Sequence, residues 1–112
     1  MSKLLEISGV TGAALVDLVT GCTYCIVGDA AEVMDGASVS DATMALVEAA
    51  EEAAGWCDWE SIIVTSAHRH HLVHAVRGGG DPLLLVTALD RQRTNMAFAI
   101  RDIRDQAESV LT

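Results

Sequence analysis

The chain has 112 residues, a net charge of −9, and 51% apolar residues with few aromatics among them. This length suffices for one domain with its own core, and the apolar content excludes an intrinsically disordered chain. We therefore interpret residues 1–112 as a single domain whose core is filled by Leu, Val, Ile and Ala.

The charge is unevenly distributed along the chain. Residues 1–60 carry one Lys and eleven acids, for a net −10, whereas residues 61–112 carry six Arg and five acids, for a net +1. Nucleic acid is an unsuitable partner, because phosphate contacts need clustered Lys and Arg. The acidic half either keeps the protein soluble or attracts a partner with a basic face.

The sequence contains no apolar run long enough to cross a bilayer, which takes about 18 residues. Glu6 and Asp17 place acids where a signal peptide would not carry them. We expect a cytoplasmic protein without direct membrane insertion, and its three cysteines are then expected to be reduced thiols.

The first predicted elements are two strands. The stretches TGAALVDL and CTYCIVGD are joined by TG, and we expect Gly21 to adopt an unusual backbone angle in a tight turn.

A helix is predicted over 41–54, where small and apolar residues recur at spacings of three and four. Its small-residue face consists of Ala42, Ala45, Leu46, Ala49, Ala50 and Ala53. Ser38 or Ser40 is expected to cap its start, with Asp41 in its first turn, and Gly55 is expected to end it.

The second half predicts three strands, DWESIIVTSA, HRHHLVHAVR and LLLVTALD, with a turn at GGGDP before the last of them. LLLVTALD is apolar at nearly every position, so we place it in the middle of the sheet. The closing segment predicts a helix capped by Thr94 or Asn95, and SKLLEIS adds a short N-terminal turn. The apolar stripe of the closing helix is Met96, Ile100, Ile103, Ala107 and Val110.

This order of elements, β-β-α-β-β-β-α, predicts an α+β fold with a five-stranded, mainly antiparallel sheet covered by helices. Together with ISGVTGAALVDLVTG, the small-residue helix at 41–54 and PLLLVTALDRQRTNMAFAIRDIR, it resembles the Roadblock family. That family includes dynein light chains and bacterial regulators of Ras-like GTPases. The resemblance implies a profilin-like Roadblock fold, although fewer residues precede the first strand here than in many bacterial members.

The resemblance also implies a homodimer, in which the strand after the first helix, WESIIVTS, pairs with its twin and the two first helices lie side by side. Pairing would also remove the aggregation hazard of an open apolar edge. The residues expected at the dimer interface are Ala42, Ala45, Leu46, Ala49, Ile62, Ile63 and Val64.

A small Ras-like GTPase is the partner that the resemblance implies, with this protein as scaffold or GTPase activator. Family activators reshape the switch loops of the GTPase and lend no catalytic arginine, so we expect a non-enzymatic protein with no catalytic residue and no cofactor. The acids Glu48, Glu51 and Glu52 on the outer face of the first helix are the predicted partner-binding residues.

The histidines form the most conspicuous cluster, with His68, His70, His71 and His74 within seven residues. On a strand, His68, His70 and His74 would share one face and His71 would point away. A zinc site needs three or four converging ligands, and neither an H-E-x-x-H pattern nor zinc-finger spacing is present. We expect no metal site, with His68, His70 and His74 as the candidates if there is one.

Cys22 and Cys25 form a C-x-x-C pair at the start of a strand, whereas a thioredoxin-type pair opens a helix. We expect both thiols to fill hairpin positions and Cys57 to fill the core. Two alternative functions stay open: a metal or redox sensor that uses the histidines and this cysteine pair, and a purely structural subunit of a larger complex.

Overall fold

A computed structural model describes residues 2–55, 60–76 and 82–110 of the chain. The strands are β1 (Val10–Asp17), β2 (Thr23–Gly28), β3 (Ser61–Thr65), β4 (Arg69–Val76) and β5 (Leu83–Asp90). The helices are α1 (Gly36–Ala54), α2 (Met96–Val110), and two short 3₁₀ helices at Ser2–Glu6 and Ala30–Glu32. Strands and α-helices thus follow one another in the predicted order β-β-α-β-β-β-α, and the N-terminal turn is present.

The five strands form one antiparallel sheet in the order β2-β1-β5-β4-β3. β5 lies in the middle, as its continuous apolar sequence predicted, and Leu84 to Leu89 are all buried. β2 and β3 are the two edges, so β3 is the edge strand that the sequence predicted.

Each face of the sheet is packed against one α-helix, because alternate residues of every strand point to opposite sides. The core on the α2 side is formed by Leu4, Ala13, Leu72, Val76, Leu85, Leu89, Ala99, Ile103 and Ala107. The core on the α1 side is formed by Ala14, Val16, Leu18, Val39, Val73, Leu84 and Val86. The short 3₁₀ helix Ser2–Glu6 helps to cover the α2 side, since Leu4 is buried there.

The turn between β1 and β2 is held by a buried carboxylate. Asp17 accepts hydrogen bonds from the Tyr24 hydroxyl at 2.9 Å and from the backbone N–H groups of Val19 and Thr20. These bonds, the Tyr24 bond foremost, lower the pKa of Asp17. The predicted role of Gly21 is confirmed, since its φ is +76°.

Helix α1 starts earlier than predicted. Its N-cap is Asp35, whose carboxylate accepts from the Ser38 N–H at 3.1 Å and from the Ser38 hydroxyl at 3.2 Å. Ser38, Ser40 and Asp41 therefore lie inside the helix, and the prediction that either serine caps it is wrong. The apolar pattern of the helix begins after the Asp35 cap, and Gly36 occupies the first helical position, where a Cβ atom would lie 2.6 Å from the Thr23 hydroxyl. The predicted end is confirmed, because Gly55 is the C-cap with φ +76°.

Helix α2 begins after Asn95, one of the two predicted caps, whose side-chain oxygen accepts from the Phe98 N–H at 3.4 Å. Ile103 and Ala107 of the predicted stripe are buried, whereas Met96 and Ile100 are only partly buried. Ala99, which the stripe omitted, is 2% exposed and lies in the core. A small residue there allows the first turn of α2 to approach the sheet closely.

Thr87 carries the one buried side-chain oxygen without a hydrogen-bond partner among the described residues. It is fully buried between Ala13 on β1 and Leu72 on β4. We expect Thr87→Val to raise the free energy of unfolding by about 1–3 kcal/mol, because valine removes an unsatisfied hydroxyl while keeping the branched shape. Thermal and urea unfolding measure the change.

Thr11→Val is the matched control, because the Thr11 hydroxyl donates to the Ala88 carbonyl at 3.3 Å. That variant should be no more stable than the wild type. A loss of stability in Thr87→Val would contradict the assignment of an unsatisfied hydroxyl.

Candidate interaction surface

Helix α1 is buried along one narrow side only. Val39, Ser40 and Thr43 face the sheet, and the Ser40 hydroxyl donates to the Leu18 carbonyl at 2.5 Å. Val47 is partly buried, and from Glu48 to Ala53 every residue is exposed, whichever way it points around the helix. The second half of α1 therefore receives no cover from the sheet of its own chain.

The small-residue face of α1 is part of this exposed surface. Ala42, Ala45, Leu46 and Ala49 are all exposed, and Leu46 is 52% exposed. This face lies roughly a third of a turn around the helix from the side that contacts the sheet, at 3.6 residues per turn. It is an apolar surface of low relief, and small side chains of this kind let a second helix approach closely.

The edge strand β3 supplies a second exposed apolar surface. β3 pairs with β4 through the register Ile62↔Val73 and Ile63↔Leu72, and no described strand pairs with its other side. Ile62 packs against the α1-side core, whereas Ile63 and Val64 are 43% and 47% exposed. The seven residues predicted at the dimer interface are thus exposed or partly exposed on the single chain.

The three predicted partner-binding acids lie farther around α1. Glu48, Glu51 and Glu52 are all exposed. At 3.6 residues per turn, Glu51 lies opposite the small-residue face, whereas Glu52 borders it. None of them forms a salt bridge with a described residue. They form an unneutralised acidic face next to an apolar one, which is the arrangement that charge-steered association uses.

The histidine cluster is divided among different environments. β4 begins at Arg69, so His68 lies in the preceding turn, and its predicted place on the same strand face as His70 and His74 is wrong. The reversal from β3 to β4 uses Ser66 and His68, whose backbone groups bond to Arg69 and Arg91 respectively. His71 does point to the opposite face, where its Nε2 lies 3.0 Å from the Glu32 carbonyl oxygen.

His70 and His74 share the α2 side of β4, but each has separate neighbours. The His70 Nδ1 lies 2.8 Å from the Thr65 hydroxyl, whereas His74 is 8% exposed and lies near Glu60 and Arg104. Within the described ranges, no three His, Cys, Asp or Glu residues are placed to hold a metal ion. The arrangement gives the metal-sensor alternative no support.

An ion pair that the sequence did not reveal connects β4 to the segment before α1. The Arg69 guanidinium binds both carboxylate oxygens of Glu32, which lies 37 residues earlier. The Glu32 hydrogen bond raises the pKa of Arg69. A hollow of about 210 Å³ beside this pair is lined by Thr11, Glu32, His68, Arg69, Asp90 and Gln92. Because Glu32 occupies the guanidinium fork, this hollow is not an anion site.

Two of the three cysteines belong to the hairpin of β1 and β2. Cys22, exposed, and Cys25, partly buried, are free thiols at the start of β2. Cys57 and most of the GGGDP turn lie outside the described residues. None of the described helices is both long and apolar enough to cross a membrane.

No protein-family model matches the sequence, and neither does any curated protein. Solved structures do match. The Roadblock/LC7 domain from Streptomyces avermitilis superposes with a TM-score of 0.74 at 18% identity, over 98% of this chain and 90% of that chain. The gliding protein MglB from Thermus thermophilus superposes with a TM-score of 0.72 at 14% identity, over 97% of this chain and 81% of that chain. MglB from Myxococcus xanthus superposes with a TM-score of 0.69 at 18% identity, over 97% of this chain and 89% of that chain.

At these identities the likeness establishes the fold, and the Roadblock fold predicted from the sequence is confirmed. The match extends over nearly the whole chain, so it includes both the exposed face of α1 and the open edge of β3.

Burial lowers the pKa of His74, with the nearby Arg104 acting in the same direction and Glu60 opposing it. The unfolded chain therefore binds a proton here at a higher pH than the folded protein does. We expect stability to decrease as pH falls from about 7.5 to about 5.5, because protonation favours the unfolded state. Thermal unfolding at both pH values measures this.

His74→Leu should weaken this decrease, because leucine does not titrate, whereas His68→Gln in the exposed turn should keep the wild-type pH dependence. Equal pH dependence in His74→Leu and the wild type would contradict a protonation effect at His74.

Proposed function

We propose that this chain is a Roadblock-family protein that acts as a homodimeric, non-enzymatic regulator or scaffold of a small Ras-like GTPase. The observation that carries the proposal is the Roadblock fold together with a first helix whose small-residue face and acidic face are both exposed. As an activator, this chain would reshape the switch loops of the GTPase and would need no catalytic arginine of its own.

The dimer would form by antiparallel pairing of β3 with its copy about a two-fold axis, so that two sheets become one. In a five-residue strand the middle residue, Ile63, would lie nearest the axis. This pairing would satisfy the free backbone groups of the edge and bury the exposed parts of Ile63 and Val64. The small-residue faces of the two α1 helices would then lie side by side.

The partner surface would be the outer face of the paired α1 helices. Two copies of Glu48, Glu51 and Glu52 would concentrate negative potential on one side of the dimer. An acidic surface of this kind increases the association rate of a partner with a basic face and makes association sensitive to salt. The fold alone does not specify this partner; the support is the charge pattern and the kind of protein that the sequence resembles.

Ile63→Lys tests the dimer. The side chain is 43% exposed on the single chain, so lysine should be tolerated by the fold. In the dimer it would be buried near its own copy, at a cost of about 3–5 kcal/mol, which weakens dimerisation by roughly two to four orders of magnitude. Light scattering across a dilution series should show a dimer for the wild type and a monomer for the variant.

Val19→Lys is the matched control, since Val19 is 69% exposed at the β1–β2 turn, remote from β3 in the sheet order. It should leave the dimer intact. A monomeric wild type at micromolar concentration, or a dimeric Ile63→Lys, would rule out pairing through β3.

The double variant Glu51→Lys, Glu52→Lys tests the partner surface. Its association rate with the GTPase of the host should fall by about tenfold or more at low salt, while light scattering still shows a dimer. Surface binding of the GTP-bound and GDP-bound forms at two salt concentrations measures the rate. A control that adds positive charge elsewhere, Val19→Lys with Gln92→Lys, should have a much smaller effect.

If the doubly reversed protein associates as fast as the wild type, α1 is not the partner surface. If no GTPase of the host binds in either nucleotide state, the regulator proposal is replaced by the structural-subunit alternative.

A further inference from the structure

A groove runs along the α2 side of the molecule, on the face of the sheet opposite α1. One wall is the N-terminal segment from Lys3 to Ser8, and the other is the flank of α2. It consists of two adjoining hollows of about 290 and about 360 Å³ that share Ile7, Ser8 and Asp102. We call this feature the α2 groove. It belongs to neither the small-residue face nor the acidic face of α1.

The two ends of the α2 groove differ in chemistry. At the start of α2 it is lined by the apolar residues Ile7, Phe98 and Ala99 together with the polar residues Ser8, Arg93, Asn95 and Asp102, and Phe98 is 56% exposed. The Arg101 guanidinium lies 5.1 Å from the centre of the Phe98 ring, on a side chain that is itself exposed. A large aromatic side chain that stays more than half exposed beside an aliphatic one offers an anchoring place for an apolar side chain.

The other end is acidic. Glu6, Asp102 and Asp105 line it, and Lys3 is the cation among the described residues around that hollow. Arg101 pairs with Asp102 only loosely, at 3.6 Å, and both side chains are well exposed. The residues Phe98, Asp102 and Asp105 lie at i, i+4 and i+7, so they form one stripe along the helix. The stripe therefore leads from an apolar anchor to two carboxylates.

The dimensions favour an extended peptide segment. From Asn95 to Gln106 the helix rises roughly 16 Å, which equals about five residues of extended chain. From Phe98 to Asp105 the rise is about 10 Å, or about three extended residues. The spacing between the anchor and the carboxylates thus sets the spacing expected in a ligand.

We propose that the α2 groove binds an extended segment of a partner protein in which a large aliphatic residue precedes Lys or Arg by about three residues. The aliphatic side chain packs against Phe98 and Ile7, and the basic side chains pair with Asp102, Asp105 and Glu6. This partner differs from the proposed GTPase in its site, so a single dimer could hold both.

The probe is a short synthetic peptide with one leucine followed, three residues later, by two lysines. Amide chemical shifts of the isotope-labelled full chain locate the site, and fluorescence anisotropy of the labelled peptide gives the affinity. We expect shift changes at Ile7, Ser8, Phe98 and Asp102, and few on α1. A peptide with glutamates in place of the lysines should not bind.

Two variants test the two ends separately. Asp102→Lys with Asp105→Lys should lower the affinity for the peptide by about fivefold or more, since attraction at both positions becomes repulsion. Phe98→Ser should lower the affinity for the peptide without changing the salt dependence of binding. Because Phe98 is exposed, the substitution should not disturb the fold. Glu51→Lys with Glu52→Lys should leave peptide binding unchanged, which separates this site from the proposed GTPase surface.

Unchanged affinity in both groove variants would overturn the proposal, as would shift changes concentrated on residues 48–53. Binding of the glutamate peptide with equal affinity, or no binding of the lysine peptide at all, would overturn it too. Unchanged affinity in the groove variants and failure of the lysine peptide to bind would leave the GTPase proposal intact, because they concern the face opposite α1, whereas shift changes on residues 48–53 would place the peptide on the proposed GTPase surface.

Discussion

The hydrogen-bonded ladder of β5 with β1 on one side and β4 on the other is the constraint on which the rest of the structure depends. β5 is buried on both faces, so a helix must pack against each face of the sheet. Leu85 and Leu89 recruit α2, whereas Leu84 and Val86 recruit the start of α1. Once β5 is central, β2 and β3 become the two edges, and each carries exposed apolar side chains: Tyr24 and Ile26 on β2, and Ile63 and Val64 on β3. The open edge of β3, where we propose that a second chain pairs, thus follows from the strand order.

Helix α1 links the core to that surface. Its first turns are fixed by the Asp35 cap, by the Ser40 bond to Leu18 and by Val39 in the core. Its later turns, from Glu48 to Ala53, are exposed and are not covered by any of the described residues. A free-standing helix half with alanines on one side and glutamates on another gains little stability by itself, because most helical stability in proteins comes from packing of one face. A dimer in which two such halves pack together would supply the missing contacts, and this is the physical reason for the proposed function.

The sequence predicted the fold well because its strongest signals are periodicities. The apolar run of β5, the three-and-four spacing in α1 and the glycine of the first turn each have one structural interpretation. Side-chain pairs at long sequence separation have no such signal: Arg69 with Glu32, and the divergence of the four histidines, depend on where β4 begins. The start of α1 was placed too late since its apolar pattern begins after the Asp35 cap. The α2 groove was not predicted either, because its two walls come from opposite ends of the chain and no sequence pattern signals contacts at such long separation.

Amide hydrogen exchange along β3 as a function of protein concentration tests the central claim most directly. In an antiparallel pair, alternate amides of β3 point away from β4 and stay unprotected on an isolated edge. If β3 pairs with its copy, the outward amides within Ser61–Thr65 should exchange slowly in concentrated protein and quickly after dilution. The amides of the other edge strand, Thr23–Gly28, serve as an internal reference and should not depend on concentration. Outward amides of β3 that exchange quickly at every concentration would contradict the account.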